Sequence, residues 1–245
     1  MQVGFIGAGN MAAALARGWG EPVLCTDSGS GRAAKLVAEL GGEVLTNREL
    51  ARAADVIVLA HKPAQLDAVA GEIADAATGI VVSILGGTTV ERVRAAYPHA
   101  ATVLRVEPNT PAAVRQGVLV FAASEDPGAE PVKTLFARLG TVIEVPEKLI
   151  GVAGAISGVG PAYWALLAEA WTDAAVRHGL SAPQAATLVR HTMAGTAALL
   201  EHTDTLALRR AVTSPGGSTA RGLDALERAG VRAALSDAMD AVVTP

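Results

Sequence analysis

Over the first 145 or so residues, short apolar runs alternate with amphipathic, alanine-rich stretches. The runs are Val3–Ile6, Val23–Thr26, Glu43–Leu45, Asp55–Ala60, Ile80–Ile84, Ala101–Val106, Gly117–Ala122 and Thr141–Val145, all of strand length. Between most of them, Asn10–Trp19, Gly31–Leu40, Asn47–Ala54, Gln65–Ala76 and Thr89–Tyr97 carry helical spacing. Such alternation predicts an α/β fold with a doubly wound sheet and helices on both faces. Val56-Ile57-Val58-Leu59 is apolar at every position, as a central parallel strand covered on both sides requires.

After Pro146 the strand pattern stops. Helical spacing continues through Pro161–His178, Ala182–Glu201, Leu206–Thr213, Thr219–Ala229 and Val231–Val243. The change predicts two domains, a Rossmann-type dinucleotide-binding unit over 1–148 and an all-helical unit over 149–245. The stretch Ala162-Tyr163-Trp164-Ala165-Leu166-Leu167-Ala168-Glu169-Ala170-Trp171 is apolar nearly all the way round. A helical unit of roughly 95 residues has little depth in which to bury it. A two-fold homodimer through the C-terminal helices is therefore expected, with a higher oligomer left open.

Composition narrows the partners. A formal net charge of −4 and the lack of a basic stripe argue against nucleic acid and anionic membranes. The longest apolar candidate, from Ala162, meets Glu169 and Asp173, so no membrane span is expected. Cys25, the single cysteine, falls in a predicted strand, which fits a reducing compartment without an intrachain disulfide. Met1 runs directly into the first strand, predicting no signal peptide and a cytoplasmic protein.

The chemistry begins where the first strand ends. Ile6-Gly7-Ala8-Gly9-Asn10-Met11-Ala12 joins strand to helix as a GxGxxA turn. Gly7 allows the tight turn, Gly9 lets backbone approach a pyrophosphate, and small Ala12 lets the helix lie close. About 20 residues on, the second strand ends at Asp27, whose carboxylate suits ribose hydroxyls and NAD. Ser28, Ser30 and Arg32 follow at once and suit a 2′-phosphate instead, so the cofactor is NAD or NADP. Further special turns stand at neighbouring strand ends: Ala60-His61-Lys62-Pro63, Ser83-Ile84-Leu85-Gly86-Gly87 and Glu107-Pro108-Asn109-Thr110-Pro111. Ligands of open α/β sheets bind at those carboxyl ends.

Two segments of the helical half stand out, Ser157-Gly158-Val159-Gly160-Pro161 and Ser214-Pro215-Gly216-Gly217-Ser218-Thr219. Both read as loops opening helices. The second offers free N–H groups to a carboxylate or phosphate, or is a plain N-cap by Ser or Thr. The five histidines lack ligand spacing, so no metal is expected. No Ser-His-Asp or paired-carboxylate arrangement supports hydrolysis.

Taken together, these motifs resemble the pyrroline-5-carboxylate reductase family. The matching pieces are Gly4-Phe5-Ile6-Gly7-Ala8-Gly9-Asn10-Met11, Lys62-Pro63, Pro108-Asn109-Thr110-Pro111, Ser157-Gly158, Gly160-Pro161-Ala162-Tyr163 and Val212-Thr213-Ser214-Pro215-Gly216-Gly217-Ser218-Thr219. They occur in the family's order and cover nearly the whole chain. The resemblance implies hydride transfer from NAD(P)H to the C=N carbon of 1-pyrroline-5-carboxylate, a cyclic imine, giving L-proline. It implies cofactor contacts at Ile6, Gly7, Ala8, Gly9, Asn10, Met11, Asn47, Ala60, His61, Lys62, Pro63, Ile84 and Leu85, to which Asp27 is added. It places the substrate on Ser214, Gly216, Gly217, Ser218 and Thr219, with the Thr219 hydroxyl at the ring nitrogen as the catalytic group. Four positions depart from the family pattern: Glu107 for a usual methionine, His61 for valine, Val159 for serine and Thr205 for proline. Two alternatives stay open, a paralogous reductase of another cyclic imine or small oxo or hydroxy acid, and a silent dinucleotide sensor.

Overall fold

A computed structural model describes residues 1–243; Thr244 and Pro245, the end of the expected helical domain, lie outside the described residues. In chain order the first half runs β1 (Val3–Ile6), α1 (Asn10–Trp19), β2 (Val23–Thr26), α2 (Arg32–Leu40), β3 (Gly42–Val44), α3 (Asn47–Ala53) and β4 (Val56–Leu59). It continues with α4 (Leu66–Ile73), β5 (Ile80–Ser83), α5 (Val90–Ala96), β6 (Thr102–Glu107), β7 (Gly117–Ala122), α6 (Ala129–Ala137) and β8 (Gly140–Val145). The helices that follow are α7 (Ile150–Ser157), α8 (Gly160–Arg177), α9 (Ala182–Leu200), α10 (Thr205–Ala211), α11 (Ser218–Arg228) and α12 (Val231–Val243).

The strands form one sheet in the order β3-β2-β1-β4-β5-β6-β7-β8. Alternate residues of each strand feed opposite faces, as the period of two demands. Phe5, Val58, Val82 and Leu104 pack with Leu15 and Trp19 of α1 and Phe136 of α6. Ile6, Ile57, Leu59, Val81 and Val103 pack on the other face with Leu50, Leu66, Ile73 and Val93. An aromatic chain, Phe5–Trp19–Phe136–Phe121, braces the first face with centroid spacings of 5.9, 5.2 and 5.4 Å. The doubly wound architecture is therefore the one the alternation predicts.

One strand departs from simple winding. β6 and β7 pair antiparallel, and β7 and β8 then pair parallel. A parallel crossover needs a dozen or more residues, usually with a helix. Residues 108–116 hold only a short 3-10 turn over Thr110–Val114, so the chain returns as a neighbouring antiparallel strand.

By contact density the chain divides into Met1–Pro161 and a second unit from Ala162 onward. One sequence expectation is corrected here, and the length of one apolar run is revised. Residues 157–161 are not a loop: α7 ends at Ser157, Gly158 keeps helical angles (φ −71°, ψ −47°), and α8 begins at Gly160. As a result, the uncharged run extends back from Ala162 to Leu149, and Glu147–Arg177 is long and apolar enough to cross a membrane by length and composition. Part of that run is α7, whose Ile150 packs on Val120 and Ala122 of the sheet.

The second unit has almost no core of its own. Among the described residues only Ala185 and Val189 are buried in it, and α8 buries no residue at all. Trp164 is 62 % and Trp171 57 % exposed.

Candidate functional site

The glycine turn after β1 lies against the turn after β4, because those strands are neighbours. Gly7 takes φ +102°, and a Cβ there would stand 2.9 Å from the backbone of Ala60 and His61. The Gly7 N–H donates to Thr26 Oγ1 at 3.3 Å, and that hydroxyl donates to Asn47 Oδ1 at 2.8 Å. Asn47 Nδ2 in turn donates to Glu72 at 2.7 Å. Asn47 is thus an anchor for the turn, at the first residue of α3.

Gly9 caps α1 with no side-chain hydrogen bond. The first amides of the helix accordingly point out of the turn without a protein acceptor, the arrangement that binds phosphate. Buried Ala8 and Ala12 keep α1 close on the sheet. These residues fit a dinucleotide pyrophosphate.

Asp27 spends its carboxylate on its own loop. It accepts from Gly29 N at 2.7 Å, Ala33 N at 2.8 Å and Ser30 Oγ at 3.2 Å. The Ala33 amide leads in holding its pKa below the usual carboxylate value; desolvation opposes it, and bonds from Gly29 and Ser30 add to the lowering. The loop so formed borders a cleft of about 260 Å³ lined by Ala8, Gly9, Asn10, Arg32 and Lys35. Neither Arg32 nor Lys35 forms an ion pair among the described residues. Cys25, beneath this loop, is fully buried, and desolvation with the Asp27 charge pushes its thiol up to about 11. It is no nucleophile.

Strand register aligns the remaining groups. Ile6, Leu59, Ser83 and Arg105 form one hydrogen-bonded row across β1, β4, β5 and β6. Two residues on, Ala8, His61, Leu85 and Glu107 follow along the carboxyl edge. His61 Nδ1 lies 2.9 Å from the Lys62 carbonyl, while its Nε2 is buried with no partner. Burial lowers the His61 pKa and the Lys62 carbonyl raises it, burial winning. The ring is neutral near pH 7, with Nδ1–H donating and Nε2 left as an acceptor. Leu85 N donates to Ser83 Oγ at 3.3 Å, which fixes the turn holding Ile84 and Leu85. Asn109, in the Pro108-Asn109-Thr110-Pro111 turn, is a structural tie that the sequence alone does not reveal. Its Nδ2 donates to Ser157 O at 3.0 Å and its Oδ1 accepts from Val118 N at 2.8 Å, tying β6, β7 and α7.

In the second unit, residues 214–219 form a compact turn closed by Gly217 N donating to Ser214 O at 3.1 Å, with Gly216 at φ +69°. α11 begins at Ser218, its N-cap is Gly217, and no side chain caps it. The plain N-cap by Ser or Thr is thereby excluded. The first amides of α11 are free for an anion, and Thr219 carries its hydroxyl in the same turn. Arg221 was missed by sequence reasoning. Its guanidinium donates to Gly216 O at 2.8 Å and Ser218 Oγ at 3.2 Å, adding positive charge beside the amides. Its position one helical turn after Gly217 was the available signal. No group of three or more His, Cys, Asp or Glu able to hold a metal occurs among the described residues.

Comparison with known proteins gives two family matches. Residues 147–244 match the family described as pyrroline-5-carboxylate reductase dimerisation, and residues 2–87 match NADP oxidoreductase coenzyme F420-dependent. A pyrroline-5-carboxylate reductase of Synechocystis is 39 % identical over 201 residues, covering 80 % of this chain and 75 % of the relative. That of Pseudomonas aeruginosa is 35 % identical, covering 98 % and 93 %. The crystal structure of Plasmodium falciparum pyrroline carboxylate reductase with NADP bound superposes with a TM-score of 0.87 at 29 % identity, covering 99 % of this chain and 95 % of that one. The Coxiella burnetii pyrroline-5-carboxylate reductase gives 0.85 at 32 % identity, covering 99 % and 96 %.

Proposed function

This chain belongs to the pyrroline-5-carboxylate reductase family, and we propose that it reduces 1-pyrroline-5-carboxylate to L-proline at the expense of NADPH or NADH. The observation that carries the reading is the uncapped N-terminus of α11 with a hydroxyl in its first turn. In this reading the amides of Gly216, Gly217 and Ser218 hold the substrate carboxylate, with Ser214 closing the turn behind them. Thr219 Oγ shares a hydrogen bond with the ring nitrogen and carries its proton, which speeds hydride addition to a C=N bond. The reduced nicotinamide supplies the hydride when bound. Ile6, Gly7, Ala8, Gly9, Asn10 and Met11 hold the pyrophosphate. Asn47, Ala60, His61, Lys62, Pro63, Ile84 and Leu85 form the floor along the strand ends. Residues 1–148 act as the cofactor domain and 149–245 as the substrate and dimerisation domain of a cytoplasmic enzyme.

The direct test follows NADPH consumption with a panel of cyclic imines. Turnover of pyrroline-5-carboxylate in preference to its six-membered homologue supports the reading. Cofactor binding without oxidation under any imine overturns it in favour of a sensor.

Cofactor choice is set at the second strand. With the Asp27 carboxylate occupied by its own loop, Arg32 and Lys35 are free to meet a 2′-phosphate. Arg32→Ala weakens NADPH binding about tenfold and leaves NADH within twofold, since one charge-assisted hydrogen bond is worth roughly 1.5–3 kcal/mol. Titration of the two cofactors by fluorescence reads this, and equal losses would place Arg32 elsewhere.

The exposed tryptophans of α8 form the dimer face, in keeping with a helix that buries nothing inside its own chain. Trp164→Glu with Trp171→Glu turns the dimer, or any assembly of dimers, into monomers by light scattering. An unchanged mass would move the interface off α8.

A further inference from the structure

Glu107 ends β6, level with Leu85 and His61 on the carboxyl edge of the sheet. The carboxyl group is partly buried in a slot against α7. A Cβ at Gly154 would lie 3.3 Å from Glu107 Cγ, and one at Gly158 3.6 Å from Oε1, so the side chain lies along the glycine face of α7 and its end. No protein donor bonds the carboxylate among the described residues. Burial pushes its pKa up, and the charge of Arg105 only partly offsets this. Arg105 is itself directed to Glu147, 3.3 Å from Nη1 to Oε1. No other charge faces the group from its own unit: α7 has no ionisable side chain, and the β7 residue paired with Glu107 is Val120. Along the edge, His61 stands two strands away after β4, and burial lowers its pKa. A half-buried carboxylate with no protein donor is free to face a cation that enters the edge of the sheet beside it.

The place of the slot says which cation. In a doubly wound sheet a dinucleotide lies across the carboxyl edge, with one mononucleotide over each half of the strand order. The pyrophosphate turn is on β1, and the β4–β6 half is left for the nicotinamide. Glu107 is three strands from Ala8, about 14 Å at roughly 4.8 Å per strand, at the reactive end.

We propose that Glu107 selects the protonated, iminium form of the cyclic imine and stabilises its charge beside the nicotinamide; this rests on the reductase reading above. Hydride adds to the iminium carbon, the C=N π pair becomes the lone pair on nitrogen, and NADPH is oxidised to NADP. The nitrogen therefore carries its proton before the carbon–hydrogen bond forms. A negative group at this point raises the fraction of substrate in that form and extends activity to higher pH.

The test compares wild type with Glu107→Gln and with Glu107→Met, each checked by thermal melting. Two ligands are titrated onto the NADP-loaded protein, L-proline with its ring cation and tetrahydrofuran-2-carboxylate, in which a neutral oxygen replaces the ring nitrogen. Both variants are expected to lose about tenfold of the preference for L-proline, with NADPH affinity held within twofold. The alkaline limb of kcat/KM moves to lower pH in Glu107→Gln. An active wild type whose ligand preference and pH profile survive both substitutions overturns the inference alone. A wild type that turns over no pyrroline-5-carboxylate overturns the reductase reading and the inference with it.

Discussion

Thr219→Ala lowers kcat for pyrroline-5-carboxylate at least about tenfold while NADPH binds as before. The hydroxyl stands at the second residue of α11, one position past the amides proposed to hold the substrate carboxylate. Alanine there removes the proposed ring-nitrogen contact and nothing else in the turn. The Ser214–Gly217 hydrogen bond and the Arg221 contacts to Gly216 and Ser218 involve no atom of Thr219. Thr219→Ser restores most of the rate, because it returns the oxygen to the same place. The loss falls on kcat, since the proposed contact helps deliver the proton that the nitrogen must carry before hydride adds. Stopped-flow reduction with saturating substrate checks it. Unchanged turnover in Thr219→Ala removes the residue from the mechanism.

The second large effect is at Gly7. Its φ of +102° is one that L side chains rarely adopt, and the Cβ of an alanine would stand 2.9 Å from the backbone of Ala60 and His61. Neither obstacle is a flexible side-chain end. Strain and overlap each cost about 1–3 kcal/mol. Relief comes only by lifting the turn away from β4, which carries off the amides proposed to hold the phosphates. Gly7→Ala therefore weakens NADPH binding by roughly a hundredfold or more, at about 1.4 kcal/mol per factor of ten. Thermal melting separates this from general unfolding. Full affinity in a folded Gly7→Ala protein would show that the turn is not the cofactor seat.

The sequence was most readable where local chemistry alone decides the outcome. α1 begins and ends where expected because Gly9 leads into it and Gly20, at φ +68°, stops it. The all-apolar run of β4 marked a central strand, and it is one. Residues 157–161 misled because Gly158 and Gly160 suggest a loop, whereas packing of α7 on β7 holds Gly158 in helical angles. Tertiary context outweighed propensity there. The reversal at β7 was hidden because strand length and apolarity carry no sign of direction. At the site, glycine turns and strand ends were visible as residue types. The partners of Asp27, Asn47 and Asn109 were not, since each is fixed by hydrogen bonds whose geometry no spacing encodes.

The thin interior beyond Ala162, with Ala185 and Val189 alone fully buried among the described residues, has a consequence for the cell. A segment that cannot shield its own tryptophans draws its folding free energy from encounter with a sister chain. The yield of working catalyst then rises more steeply than the number of polypeptides made, and scarce synthesis is penalised twice.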